Sequence, residues 1–307
     1  MALLRDGLAA HQFIVAERVV NNVEPSHPDA RLPEADIAFG QPDPGQMIQL
    51  HKLKWIQLSS AGYARYDRAD LRDALIRRGS ILTNSSSVYC EPTAQHALAL
   101  MLSAMRQLHA AMENQRGAHA WMSAALRGRS QVLEDQTVLL LGFGSIGRRL
   151  AELLSSFKLN LIALRRRPAG DEPIRVESIE KLDELLPQAD HVVSVLPGGE
   201  QTLRMMNAAR FSFMKRTAVF FNVGRGTTVD QAALRAALTS GQIAAAYLDV
   251  MDPEPLPADD PLWTTPNCYL TPHSAGGAAD EFDRVVRHFL ANLERYVGCV
   301  GLRDRVY

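Results

Sequence analysis

The chain of 307 residues is poor in three features. Cysteine is scarce: Cys90, Cys268 and Cys299 stand far apart with no C-x-x-C pair. That argues against a disulfide framework or a structural zinc site, fits a reducing compartment, and leaves no expected metal centre. Long apolar runs are missing as well. The longest, such as Val138–Leu141, are strand-sized, far short of the roughly 18 residues a membrane helix needs. At the N-terminus Met-Ala-Leu-Leu is broken by Arg5 and Asp6, too early for the apolar core of a signal peptide. Net charge is nearly absent, with 33 Lys plus Arg against 34 Asp plus Glu. Such a balance creates no overall field to draw in nucleic acid or an acidic membrane, so any anion site must be local. A soluble, cytoplasmic protein with neither nucleic-acid nor membrane partners is expected.

The composition that remains, 47% hydrophobic and 22% charged, is that of a globular chain. Its length predicts about two domains. Short apolar runs alternate with helical patterns, the signature of parallel sheets wrapped by helices. Strands are expected at Asp36–Phe39, Trp55–Leu58 and Ser80–Leu82. From Pro92, apolar residues recur in steps of three or four through Leu98, Met101, Met105 and Met112, predicting a long amphipathic helix with the proline in its first turn. A second such helix is expected from about Ala278, carrying Val285, Val286, Phe289 and Leu293 on one face. Two long helices bracketing a central block predict an insertion: residues 101–274 as a dinucleotide-binding domain, and 1–100 plus 275–307 as a discontinuous second domain.

The central block opens with an apolar strand, Gln136–Leu141, then the turn Gly142-Phe-Gly144-Ser145-Ile146-Gly147, then helical periodicity. Glycines at those positions allow a tight turn and close backbone approach to a pyrophosphate, which the free N–H groups of the helix N-terminus attract. The next strand, Asn160–Leu164, bears on which dinucleotide is bound. An NAD-binding unit places an acidic residue about 20 residues beyond the motif, on the ribose hydroxyls. Here Arg165, Arg166 and Arg167 stand at that strand end with no carboxylate beside them. A 2′-phosphate carries roughly −1.5 to −2 charges. NADP is therefore expected in preference, with NAD possible as an alternative.

Further strands end at Val195, running into Leu196 and Pro197; at Val223, running into Gly224-Arg225-Gly226; at Val250, before Glu254; and at Leu270, before His273, Ala275 and Gly276. Ligands in such folds sit beyond the carboxyl ends of the strands, so these residues are expected around one crevice. Reduction of a 2-oxo acid needs a planar double donor for carboxylate and carbonyl, a proton source near neutral pK, and a carboxylate to tune it. Arg225, His273 and Glu254 are of those three kinds.

With these stretches in view, G-F-G-S-I-G at 142–147, N-V-G-R-G-T-T-V-D at 222–230, D-V-M-D-P-E-P-L-P at 249–257 and T-P-H-S-A-G-G at 271–277, the chain resembles the D-isomer-specific 2-hydroxyacid dehydrogenase family. The resemblance implies an α/β protein in which a Rossmann-type doubly wound sheet is inserted into a flavodoxin-like substrate domain, the two closing over a cleft. It implies an NAD(P)-dependent oxidoreductase acting on the CH–OH group of donors, and a homodimer formed through the helix at 92–112 and the stretch around Trp121–Arg129. Arg225 is then the substrate-orienting residue, His273 the acid/base and Glu254 its partner. Asp249 would hold the nicotinamide amide, and the backbone after His273 would border that ring. The segment Leu58-Ser-Ser-Ala61-Gly62-Tyr63 is similar to the family's substrate loop, which makes the Ala61 and Gly62 N–H groups candidates for the substrate carboxylate. No basic residue stands at Leu58 or Ser59, which suits a small uncharged tail as in glyoxylate or hydroxypyruvate. Three departures are visible. Gln95 replaces a usual Glu, Arg165 replaces the usual acid, and the family's first strand is missing, since Leu3–Ala10 reads as the end of the first helix and Gln12–Ala16 as the second strand. Either the outer sheet is rearranged or the recorded start lies downstream of the true one. The expected activity is NADP-preferring reduction of a small 2-oxo acid. The alternatives are a nicotinamide-cofactor-sensing regulatory protein on the same fold and another Rossmann enzyme such as a methyltransferase.

Overall fold

The structure, a computed structural model, describes residues 2–18 and 25–307. Its elements in chain order are α1 (Ala2–Gly7), β1 (Ile37–Gly40), α2 (Pro44–Gln49), β2 (Trp55–Leu58), α3 (Ala69–Arg77), β3 (Ile81–Thr83) and α4 (Ser86–Met105). There follow α5 (Leu108–Arg116), α6 (Ser123–Arg129), β4 (Thr137–Leu141), α7 (Ser145–Leu154), β5 (Asn160–Arg165), β6 (Arg175–Ser178), α8 (Leu182–Leu185) and β7 (His191–Ser194). The chain ends with α9 (Ala208–Phe213), β8 (Val219–Asn222), α10 (Gln231–Thr239), β9 (Ala245–Leu248), β10 (Cys268–Leu270) and α11 (Glu281–Val297). They form two compact units, residues 1–89 with 278–307, and residues 90–277. Among the described residues no helix is long and apolar enough to cross a membrane.

The first unit holds a parallel sheet ordered β1-β2-β3. Strand periodicity divides its two faces. Ile56, Leu58 and Leu82 pack with Met47 of α2 and Leu71 and Leu75 of α3. Trp55 points the other way, onto Leu4 and Leu8 and onto Val286, Phe289 and Leu293 of α11. The free edge of β3 is covered by the C-terminal segment, where Thr83 and Arg305 form an antiparallel bridge and the Val306 N–H donates to Leu82 O at 2.8 Å. The expected strand at Gln12–Ala16 is not formed: those residues carry no strand pairing and are mostly exposed, so they gain no buried face in exchange for ordering.

The helix expected from Pro92 begins earlier, at Ser86, and Pro92 lies inside it. Its first turn is capped from elsewhere. Asn84 Oδ1 accepts from the Ser86 N–H at 3.1 Å, and Asp304 accepts from the Ser87 N–H at 2.8 Å. The chain divides between units within that first turn rather than near 101. From Ala94 onward the buried face of α4 (Ala97, Met101, Ala104, Met105) packs with Val138, Leu140 and Leu150 of the second unit.

The second unit is a seven-stranded, all-parallel sheet ordered β10-β9-β8-β7-β4-β5-β6 with an apolar core on each face. Central strands are buried on both sides, which is why β4, β7 and β8 carry consecutive apolar residues, Val138–Leu141, Val192–Val193 and Val219–Phe221, rather than an alternating pattern. Strand order reverses between β4 and β7, the topological switch point of a doubly wound sheet. Because all strands are parallel, the residues singled out after β4, β5, β7, β8, β9 and β10 follow the carboxyl end of this one sheet.

Candidate active site

Arg225 is set by its neighbours. β8 ends at Asn222, whose side chain accepts from the Gly224 N–H at 3.1 Å and donates to Arg225 O at 3.0 Å. Thr228 Oγ1 donates to the same carbonyl at 2.6 Å. Gly226 is required by close approach, since a Cβ there would fall onto the Met251 backbone. The Arg225 guanidinium is mostly desolvated, which lowers its pKa against the raising effect of Glu254. Its ordinary value is so high that it stays charged.

Glu254 follows β9 in a turn where the Asp252–Pro253 and Glu254–Pro255 peptides are both cis. Its Oε1 accepts from the Met251 N–H at 2.9 Å and its Oε2 lies 2.6 Å from His273 Nδ1. A carboxylate only accepts, so Nδ1 carries the hydrogen and Nε2 is left for chemistry. Hydrogen bonding to Glu254 raises the His273 pKa, overcoming its desolvation and the opposing charge of Arg225. Burial pushes the Glu254 carboxyl upward, but its bonds from His273 and Met251 and the Arg225 charge prevail and hold it below the ordinary carboxylate value. Arg225, Glu254 and His273 thus form one electrostatic group.

His273 has a left-handed backbone, φ 49°, uncommon for a residue with a side chain. Asp249, fully buried, holds that turn. Its carbonyl accepts the His273 N–H at 2.8 Å, while its carboxylate accepts from Thr271 Oγ1 at 2.6 Å, the Ser274 N–H at 2.9 Å and the Ala275 N–H at 3.0 Å. His96 of α4 joins this web, with Nε2 3.0 Å from Thr271 Oγ1 and 3.6 Å from Asp249 Oδ1. Sequence reasoning missed His96. Its place on the inner face of an amphipathic helix carries no signal of a partner so distant in the chain.

At the switch point, Gly142, Gly144, Ser145, Ile146 and Gly147 turn β4 into α7. A Cβ on Gly147 would strike Gly142 O, so only glycine lets the helix start this close to the strand. A Cβ on Gly144 would meet nothing within 4 Å, leaving open space before the free N–H groups of α7. This is the cradle a dinucleotide pyrophosphate requires, and the residues fit that group. Nearby, Leu196 and Val223 are buried, Pro197 is exposed, Ala275 is buried and Gly276 is half-buried.

The three arginines are not alike. Arg165, at the end of β5, pairs with Glu172 at 3.2 Å, Arg166 donates to Gln201 Oε1 at 2.8 Å, and Arg167 is exposed. The expectation that no carboxylate lies beside them is corrected: the loop after β5 folds back and delivers Glu172 to Arg165. Ala61 and Gly62 belong to the first unit, at the end of β2, where the Asn84 side chain donates to Ala61 O at 2.8 Å and Ser60 Oγ to Gly62 O at 2.7 Å. Among the described residues no group of three or more His, Cys, Asp or Glu is placed to hold a metal.

A doubly wound parallel sheet with a glycine-rich cradle at its switch point and an Arg, Glu and His group along the same edge defines a nicotinamide-dependent dehydrogenase. Residues 98–275 match the D-isomer specific 2-hydroxyacid dehydrogenase, NAD binding domain. Glyoxylate/hydroxypyruvate reductase B of Citrobacter koseri is 36% identical over 237 residues, spanning 76% of this chain and 71% of that protein. The NADPH-dependent glyoxylate/hydroxypyruvate reductase of Sinorhizobium meliloti, solved with NADP and malonate, superimposes with a TM-score of 0.75 at 26% identity over 100% of this chain and 93% of that one. A D-isomer specific 2-hydroxyacid dehydrogenase of Xanthobacter autotrophicus, solved with NADPH and MES, gives a TM-score of 0.78 at 27% identity, with the same coverages of 100% and 93%. The chain belongs to the D-isomer specific 2-hydroxyacid dehydrogenase family and is an NAD(P)-dependent oxidoreductase.

Proposed function

We propose that the protein reduces a small 2-oxo acid of the glyoxylate or hydroxypyruvate type to the D-2-hydroxy acid, with NADPH preferred over NADH. The observation that carries the reading is the 2.6 Å bond between His273 and Glu254, with the Arg225 charge acting on both. The bound cofactor supplies the hydride. Arg225 binds the substrate carboxylate and carbonyl through its planar pair of donors and holds the carbonyl carbon for attack. His273 Nε2 gives its proton to the carbonyl oxygen as that oxygen gains charge, so hydride on carbon and proton on oxygen complete the alcohol. Glu254 stabilises the imidazolium before transfer and keeps Nε2 oriented. The cofactor preference is supported by the arginines after β5 and by NADP or NADPH in the two solved relatives. The substrate class is supported by the names of the similar reductases and by Leu58 and Ser59, where no cation awaits a phosphorylated tail. Initial rates with glyoxylate, hydroxypyruvate, pyruvate and phenylpyruvate, each with NADH and NADPH, test it. The first two with NADPH are expected to be fastest, and no turnover of any 2-oxo acid overturns the reading.

A further inference from the structure

The arginines after β5 sit on a loop, and arginines on a loop recognise a phosphate only if the loop holds still. Ordering each rotamer-rich side chain at the moment of binding costs conformational entropy that a pre-ordered loop avoids. The residue that holds this loop is Glu172. Its side chain is only 4% exposed although it is charged and lies between two exposed neighbours. Oε1 accepts from the Ala169 N–H at 2.7 Å and from Arg165 Nη1 at 3.2 Å, and Oε2 accepts from the Gly170 N–H at 2.8 Å. The carboxylate therefore closes residues 165–172 into a ring that begins and ends at the strand. The bonds to the backbone, Ala169 first, with that from Arg165, keep it below the ordinary carboxylate pKa and thus ionised at neutral pH.

We infer that Glu172 is a positioning residue for recognition of the cofactor's 2′-phosphate. It fixes the direction of Arg165 at the strand end and sets the path of the chain through Arg166 and Arg167. The inference rests on the NADP preference proposed above. The Arg165 bond is the longest of the three and uses one Nη1 hydrogen, which leaves Nε and Nη2 as donors for an incoming phosphate. The two amide bonds do not involve Arg165, so they hold the turn at 169–172 whichever way the guanidinium points. Arg166 is steadied separately through Gln201, so loss of Glu172 acts on the loop without removing every contact of the basic cluster.

Two measurements on the full chain, neither needing turnover, test this. The first is calorimetric binding of 2′,5′-ADP and 5′-AMP to wild type, Glu172→Gln and Glu172→Ala. Wild type is expected to prefer 2′,5′-ADP, and Glu172→Ala to lose about tenfold of that preference with 5′-AMP binding unchanged. Glu172→Gln, whose single carbonyl oxygen can accept from only one of the two amides and offers Arg165 no charge, is expected to fall between them. The second is amide hydrogen exchange in the ligand-free protein, where Ala169 and Gly170 exchange faster in Glu172→Ala while Leu139–Leu141 do not. Wild-type preference retained in full by Glu172→Ala overturns the inference, as does equal loss of both ligands or unchanged exchange at 169 and 170. A wild type that binds the two ligands equally sinks the cofactor reading itself, an outcome distinct from the others because faster exchange at 169 and 170 is then still seen.

Discussion

Imidazolium, not imidazole, gives up a proton, so with His273 as the proposed acid its protonation is expected to govern the direction in which the reaction is best catalysed. Its pKa is raised, first by the hydrogen bond to Glu254. Reduction therefore persists up to that raised pKa and is lost as pH climbs through it, while oxidation of the hydroxy acid gains in the same window. Glu254→Gln removes the charge and keeps the shape. The alkaline limb of kcat/KM for reduction is expected to shift to lower pH, and a profile superimposable on that of wild type contradicts the role given to Glu254. The kinds of these residues were legible in the sequence because each follows an apolar strand. Other features were not. The left-handed backbone of His273 depends on Asp249, and the partner of Arg165 arrives through a loop whose return path no local pattern specifies. His96 likewise meets Thr271 only because α4 lies against the sheet.

Elements place these side chains, and glycine decides how closely elements approach. Gly226 lies against the Met251 backbone, so Gly226→Ala forces the loops after β8 and β9 apart, carrying Arg225 and Glu254 with them. Overpacking of this kind costs about 1–3 kcal/mol. The variant is expected to melt several degrees lower and to show a raised KM for the 2-oxo acid together with a lower kcat. Wild-type kinetics and melting contradict the packing argument. At this scale the fold is legible in the sequence where strands are buried, since the apolar runs of β4, β5, β7 and β8 follow no helix periodicity. It is less legible at edges. β6 is an edge strand with alternating charge, Arg175-Val-Glu177-Ser, and has no apolar run to betray it. The start of α4 is not legible locally because its caps include Asp304, distant in the chain, whereas Pro92 gives a local but misleading helix-start signal.

For the whole molecule, insertion of one unit into another is legible from the two long helices, but the point of division follows from packing of α4 and not from its pattern. The acid limit of stability is also a property of the whole fold. His191, at the start of β7, is buried, its Nε2 bonds Gln136 Oε1, and burial pushes its pKa down to about 4. The unfolded chain takes up that proton near the ordinary value of about 6.5. Stability is thus complete above about 6.5 and is lost as pH falls toward 4, by roughly 3 kcal/mol over the window. Denaturation midpoints measured from pH 7 to pH 4 are expected to fall less steeply in His191→Phe than in wild type, and parallel slopes contradict the assignment. Three side chains distant in sequence act as one chemical unit, and that claim is tested most directly by His273→Ala. Measured together, NADPH binding by nicotinamide fluorescence is expected to stay within a few-fold of wild type, while glyoxylate reduction falls by at least about a hundredfold, the lower range for loss of a general acid. Full turnover in this variant would contradict the account.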